Sequence, residues 1–147
     1  MAPGRAACGP PTRPWRRSAC ASPDSRRDRQ VANPVVLTGD EHQNYAGELH
    51  LNGHEPGARA IATEFVATSI TSGGDGADQS PRMAQIQAAN PQLKFNNSQR
   101  GYLLCEVTPE RFEAAFRVID KVSAPGGTVS TRAKLAVPAG EAVVVPA

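Results

Sequence analysis

Asp40 and His42 stand two residues apart, directly after the apolar run Val35-Val36-Leu37-Thr38 and the break at Gly39. A carboxylate oxygen and an imidazole nitrogen are donors that one hard or borderline cation, such as iron, zinc or manganese, can share. The same Gly-Asp-x-His also suits a plain turn with a solvated histidine, and these four residues leave both readings open. A second pair, His50 and His54, has the i, i+4 spacing of a helical zinc site. Asn52, Gly53 and Pro56 break any helix there, and Leu51 stands where an H-E-x-x-H motif needs glutamate. Cys8, Cys20 and Cys105 form no C-x-x-C spacing and point to neither a metal knuckle nor a disulfide framework.

Positioning Asp40 and His42 requires a strand. The branched residues between Pro34 and Gly39 suit a short buried strand better than a helix, which needs a longer periodic pattern. Extended backbone places residues i and i+2 on one face, so the two side chains are expected to emerge together at the strand's carboxyl end, where open sheets bind ligands. A long loop then leads to a second buried strand, Ala60 to Ala67, which ends in the Gly-rich Thr68-Ser69-Ile70-Thr71-Ser72-Gly73-Gly74-Asp75-Gly76.

Ser80 followed by Pro81 predicts a cap and first turn for a surface helix over Pro81 to Ala89, with Met83, Ile86 and Ala89 as a narrow apolar stripe and Asn90-Pro91 as its stop. Lys94 to Arg100 reads as a polar loop. Gly101 to Val107 and Phe112 to Asp120 read as a hairpin joined at Thr108-Pro109-Glu110-Arg111, with proline placed to start a type I turn. Phe112, Ala114, Phe116 and Val118 alternate against Glu113 and Arg117, the pattern of an antiparallel sheet with one wet face. Leu103, Cys105 and Val107 share a face, so Cys105 reads as a small buried hydrophobe. Arg132 and Lys134 mark Thr128 to Val137 as an edge strand, and Val143 to Pro146 reads as a frayed extension.

Three segments in order, Ala62-Thr63-Glu64-Phe65-Val66 running on to Gly76, Asn96-Asn97-Ser98-Gln99-Arg100-Gly101-Tyr102, and Val107-Thr108-Pro109-Glu110-Arg111-Phe112, resemble the closing third of the PhoD-like, alkaline phosphatase D type metallophosphatases. The resemblance covers about residues 33–137. It implies the C-terminal part of a calcineurin-like metallophosphoesterase, an αββα sandwich that is α+β and here mostly antiparallel β with one short helix. It also implies a secreted or extracytoplasmic hydrolase that cleaves phosphomonoesters and phosphodiesters with iron and calcium ions.

On that resemblance Asp40 and His42 are the catalytic and metal-binding residues. His42 ligates the metal, and Asp40 either shares it or orients a neighbouring ligand. Asn44 holds a water or substrate. Hydroxyls of the Gly-rich loop bond a phosphate or metal-bound water, and Arg100 either contacts a substrate anion or caps a sheet edge. Glu41 stands where the family is usually apolar and Tyr45 where it is often tryptophan. One aspartate and one histidine are too few ligands for a site of two or three metals, so the chain is expected to be inactive by itself.

The 147 residues carry a net charge of +2, which hides an asymmetry. Residues 1–30 hold seven arginines against Asp24 and Asp28, or +5, and the remaining nine basic and twelve acidic residues give −3. This Arg/Pro-rich leader has no apolar period and is expected to be disordered. Arg16-Arg17 is followed by no apolar stretch of the kind an export signal needs, so the location expected of this chain is cytoplasmic or unknown. The division expected is a leader over 1–30 and a truncated phosphatase portion over 31–147, from a truncated or frame-shifted gene. The competing function is a non-catalytic fragment, or an anion- or nucleic-acid-binding module acting through the basic leader, although Trp15 is the leader's single aromatic. No stretch approaches the roughly 20 apolar residues of a membrane span.

Overall fold

The computed structural model describes residues 32–51 and 58–147. The leader expected over 1–30, with Cys8 and Cys20, lies outside the described residues, as does His54. In chain order the elements are β1 (Val35–Thr38), β2 (Asn44–His50), β3 (Ala60–Val66), α1 (Pro81–Ala88), β4 (Leu93–Asn97), β5 (Gly101–Val107), β6 (Arg111–Ile119), β7 (Val129–Pro138) and β8 (Val145–Pro146). They form two four-stranded sheets, ordered β1-β3-β2-β4 and β5-β6-β7-β8. Among the described residues only β1 and β3 pair in parallel; the other pairings are antiparallel. The α+β class, mostly antiparallel β with one short helix, is the class expected. No helix among the described residues is long and apolar enough to cross a membrane.

The sheets face each other through aromatic rings. Phe65 of β3 lies 5.2 Å from Phe112 and 6.3 Å from Phe116, both of β6, and Phe95 of β4 lies 4.5 Å from Phe116. Ala46, Ala114, Val137 and Val144 complete the buried cluster. Offset and tilted ring pairs at these separations add roughly 0.5–1.5 kcal/mol each beyond the area they bury. Register explains the meeting of the rings: Ala46 of β2 pairs with both Phe65 and Phe95, so a small residue between two large ones leaves room for Phe116 from above.

Several expectations hold in detail. Ser80 caps α1, its Oγ accepting from Met83 N at 3.2 Å, with Pro81 in the first turn. No residue of α1 is fully buried, as a surface helix requires. Asn90 stops it by donating to Ile86 O at 2.6 Å. Thr108 closes the β5–β6 hairpin, its N donating to Arg111 O at 2.9 Å and its Oγ1 accepting from Arg111 N at 3.2 Å. Cys105 packs half-buried against the core, and burial pushes its thiol up.

Other expectations are corrected. The long loop after β1 contains a central strand, β2, and the polar loop from Lys94 contains β4, because the asparagines of both strands bond one another instead of water. β7 is covered over Leu135 and Ala136 by β8, so the supposed frayed tail is a strand, with Val144 only 8% exposed. Glu113 is also drawn in from the expected wet face. Lys134 and Arg111 both reach it, at 2.6 and 2.7 Å, and the Lys134 hydrogen bond is the main cause of a carboxyl held below the usual range. β1, expected as a short buried strand, is instead an edge of its sheet, as β5 is of the other, and Leu37 and Val107 stand largely exposed beside a groove that they line with Val35 and Phe112.

Two carboxylates of the segment between β3 and α1 fasten it to the second sheet. Asp75 accepts from Val122 N, Ser123 N and Ser123 Oγ at 2.6–2.8 Å. Asp78 takes both Arg132 Nε (2.6 Å) and Nη2 (3.0 Å). A bulge makes the second contact possible: Phe116 pairs with Ala133 and Arg117 with Thr131, leaving Arg132 as the extra residue of β7, re-aimed toward Asp78.

Two outcomes follow from this packing. Phe116 is fully buried, so Phe116→Ala lowers the unfolding free energy by about 3–5 kcal/mol, read from urea denaturation of the full chain. The Val122 amide, with help from Ser123, holds the Asp75 carboxyl below the ordinary aspartate range. A depressed carboxyl contributes its stability above the ordinary value and loses it as the pH falls toward the lowered one. In an NMR titration the Val122 and Ser123 amides therefore stay fixed down to a pH of about 4 and move below it, while Asp75→Asn displaces both at neutral pH.

Candidate functional site

One end of the sandwich collects the residues with chemistry. β1 ends there at Thr38, β3 at Val66 and β4 at Asn97, while β2 begins at Asn44 and β5 at Gly101. Parallel pairing brings the ends of β1 and β3 side by side, and Ala67 N donates to Thr38 O at 2.9 Å to carry the pairing one step further. Three connections converge at this end: Gly39 to Gln43, Ala67 to Ser80, and Ser98 to Arg100.

Asp40 and His42 lie in the first of these, past the strand. Both are exposed and both have left-handed backbone, with φ of 74° and 56°. This corrects the expected geometry, because the alternation of an extended strand stops at Thr38 and cannot set their relative direction. Non-glycine residues in this region cost about 1–3 kcal/mol each and persist where the surroundings impose them, which is common at functional sites. Aspartate and histidine are among the residues that tolerate it best. The expected location at the strand's carboxyl end holds; the expected alternation does not.

Buried amides fix the floor beneath the loop. Asn44 is 1% exposed. Its Oδ1 accepts from Thr68 N at 3.1 Å, and its Nδ2 donates to Asn97 Oδ1 at 3.1 Å and Gln99 O at 3.2 Å. Asn97 in turn donates to Asp78 Oδ1 and Gln99 Oε1, and Asn96 donates to Gln43 Oε1 and Asn44 O. The carboxamide of Asn44 is thus spent on protein partners, so its geometry is that of a support beneath the loops and leaves no amide hydrogen for a water or substrate.

Arg100 is similarly engaged. It is 3% exposed, with Nη1 donating to Ser69 Oγ at 2.9 Å and Ser72 O at 2.6 Å and Nη2 donating to Ser98 O. Its Nε is buried without a hydrogen-bond partner. It neither caps a sheet edge nor extends to the surface. The hydroxyl of Ser69 bonds Ser72 O and Arg100, and that of Thr68 is buried, whereas Thr71 and Ser72 stand exposed.

The Gly-rich segment approaches the Asp40–His42 loop at Gly73. A Cβ at Gly73 would lie 3.1 Å from Arg100 Nη1 and 3.6 Å from His42 Nδ1, so the guanidinium and the imidazole flank the same glycine. At Gly76 a Cβ would run into Ser98 O, which excludes any side chain there. Sequence reasoning found His42, the glycines and Arg100 separately and missed that they converge. Among the described residues no group of three or more His, Cys, Asp or Glu side chains could hold a metal ion. His50 is not part of one: its Nδ1 lies 2.6 Å from Ala58 O, and its Nε2 is 4.0 Å from Glu48.

The family model of the PhoD-like phosphatases matches residues 18–116, beginning within the segment read as a leader. Alkaline phosphatase D of Bacillus subtilis (strain 168) is 44% identical over 107 residues, which cover 73% of this chain and 18% of that protein. A solved structure, titled as that of PhoD, superposes with a TM-score of 0.75 at 39% identity, covering 82% of this chain and 23% of the other. The chain thus spans less than a quarter of the length of the relatives it matches. The matched segments hold the loop of Asp40 and His42, the Gly-rich connection and the buried amides that join them, and the chain belongs to the PhoD-like phosphatase family.

Proposed function

We propose that this chain contributes one wall of a metal-dependent phosphoesterase site of the alkaline phosphatase D type, with Asp40 and His42 as its metal-facing groups. The observation that carries the reading is the placement of these two exposed donors at the carboxyl end of β1, in a chain of this family. The donor types suit the cations the resemblance implies: oxygen for calcium, and oxygen with imidazole nitrogen for iron. Their number does not complete a site, since the described residues hold no group of three. Such cations, where bound, polarise phosphoryl oxygens and make water a nucleophile near neutral pH.

The chain's own contribution is positional. Left-handed backbone turns Asp40 and His42 outward, Gly73 borders the imidazole, and the hydroxyls of Thr71 and Ser72 stand exposed for a phosphate oxygen. Phosphate monoesters and diesters are the substrate class. The incomplete donor set favours a second reading for the isolated chain, a non-catalytic portion. The nucleic-acid reading of residues 1–30 lies outside the described residues.

The test is to exchange residues 33–137 for the matching segment of Bacillus subtilis alkaline phosphatase D. The exchanged enzyme hydrolyses a phosphodiester, and Asp40→Asn or His42→Asn lowers kcat/KM by at least on the order of 100-fold. Asparagine tolerates the left-handed backbone, so the loss reports the ligand. Full activity in both variants would remove these residues from the site. For the isolated chain, metal content stays near zero with and without His42→Asn; occupancy lost on substitution would instead mark an autonomous site.

A further inference from the structure

We infer that Arg100 is a positioning residue, a buried guanidinium that fixes the imidazole of His42 through Ser69, Ser72 and Gly73 and does not meet the substrate. The inference rests on His42 being the group that faces metal or phosphate.

A charge removed from water normally meets an opposite charge, because desolvating an ion costs several kcal/mol. The hydrogen bonds of Arg100 go to a hydroxyl and two carbonyl oxygens, Ser69 Oγ, Ser72 O and Ser98 O. All three belong to the two connections that flank the Asp40–His42 loop. Its Nη1 bonds both ends of the turn Ser69 to Ser72, while Ser69 O accepts from Gly101 N at 3.1 Å, so the turn is gripped by side chain and backbone of adjacent residues. Gly73 follows immediately, with φ of 90°, and the space a Cβ would take there is bordered by Nη1 at 3.1 Å and by His42 Nδ1 at 3.6 Å. Moving the guanidinium moves the turn, and with it Gly73, which borders the Nδ1 edge of the ring.

A direct substrate role is disfavoured by the same geometry. Arg100 is 3% exposed and both terminal nitrogens already donate to the connections around it, so an anion can reach the guanidinium only if those connections open. Lysine cannot fully replace the fork, since its donors radiate from one nitrogen whereas the guanidinium reaches Ser69 and Ser72 from Nη1 and Ser98 from Nη2.

The experiment uses the full chain, isotope-labelled, as Arg100→Met, Arg100→Lys and Ser69→Ala. In the unsubstituted chain a ring-proton NOE links His42 to the Gly73 α-protons. Arg100→Met abolishes it and speeds amide exchange over Ser72 to Gly74 at least about tenfold, while the amides of the β5–β6 hairpin keep their shifts; Arg100→Lys restores part of the contact. If Arg100→Met collapses the whole spectrum, Ser69→Ala decides: a weakened NOE over an intact hairpin supports the positioning role, and an unchanged one overturns it.

An unchanged NOE in a folded Arg100→Met chain also overturns it, as does a shift of the Arg100 Nε resonance on adding inorganic phosphate. In the segment-exchanged phosphatase, Arg100→Lys lowers kcat and leaves KM within about twofold; a change confined to KM would instead mark an anion contact. The NOE and exchange readouts need neither metal nor turnover. An inactive exchanged enzyme with the His42–Gly73 contact intact therefore removes the phosphatase reading and leaves the positioning of the ring established.

Discussion

The carboxamide of Asn44 carries the β3-β2-β4 pairing past the ends of the strands, into the connections that follow β3 and β4. Its oxygen receives Thr68 N from the segment after β3, and its nitrogen gives to the end of β4 and to Gln99. A buried amide left unpaired costs about 1–3 kcal/mol, so each partner is held by the penalty that its departure would impose. Asn97 and Asn96 extend the same constraint to Asp78 and Gln43. The loop of Asp40 and His42 starts from β1 on one side and enters this network at Gln43 and Asn44 on the other, which lets exposed residues sit on a defined backbone.

Above the amides the aromatic core sets the spacing of the sheets, and the bulges re-aim charged side chains out of the ladders. Arg132 leaves the β7 ladder to reach Asp78, and Lys94, the residue skipped between Phe95 and Leu93 in the β2–β4 pairing, reaches Glu48 at 3.1 Å. Glu48 also accepts from Val144 N at 3.1 Å, so the strand that closes the second sheet is anchored to a carboxylate of the first. Ion pairs this exposed contribute at most about 1 kcal/mol each. Their value here is directional, since they pin the Gly-rich segment and β8 in place after apolar packing has brought the sheets together.

Legibility in the sequence follows the kind of force that makes each element. β1, β3, α1 and the β5–β6 hairpin were readable because apolar runs, a Ser-Pro cap and a Thr-Pro turn act locally. β2 and β4 were not: Asn44-Tyr45-Ala46-Gly47 and Asn96-Asn97 look like loop by propensity, and tertiary hydrogen bonding overrides that preference. Arg132 and Lys134 read as guards of an exposed edge, whereas β8 covers part of that strand and both side chains pair with acids. For the site, the strand end was legible and the meeting of His42 with Arg100 across Gly73 was not, because residues 31 and 58 positions apart in sequence come together only through the sheet order β1-β3-β2-β4.

The left-handed torsions at Asp40 and His42 restrict which amino acids can occupy these positions before any chemistry is considered. Glycine, asparagine, aspartate and histidine enter that region readily; valine, isoleucine and threonine are nearly shut out. Natural variation there is filtered twice, once by main-chain torsion and once by whatever the side chain donates. Persistence of an acid or an imidazole across homologues accordingly reports on both filters, and a drift toward asparagine or glycine would signal that the second had been relaxed while the first was still in force.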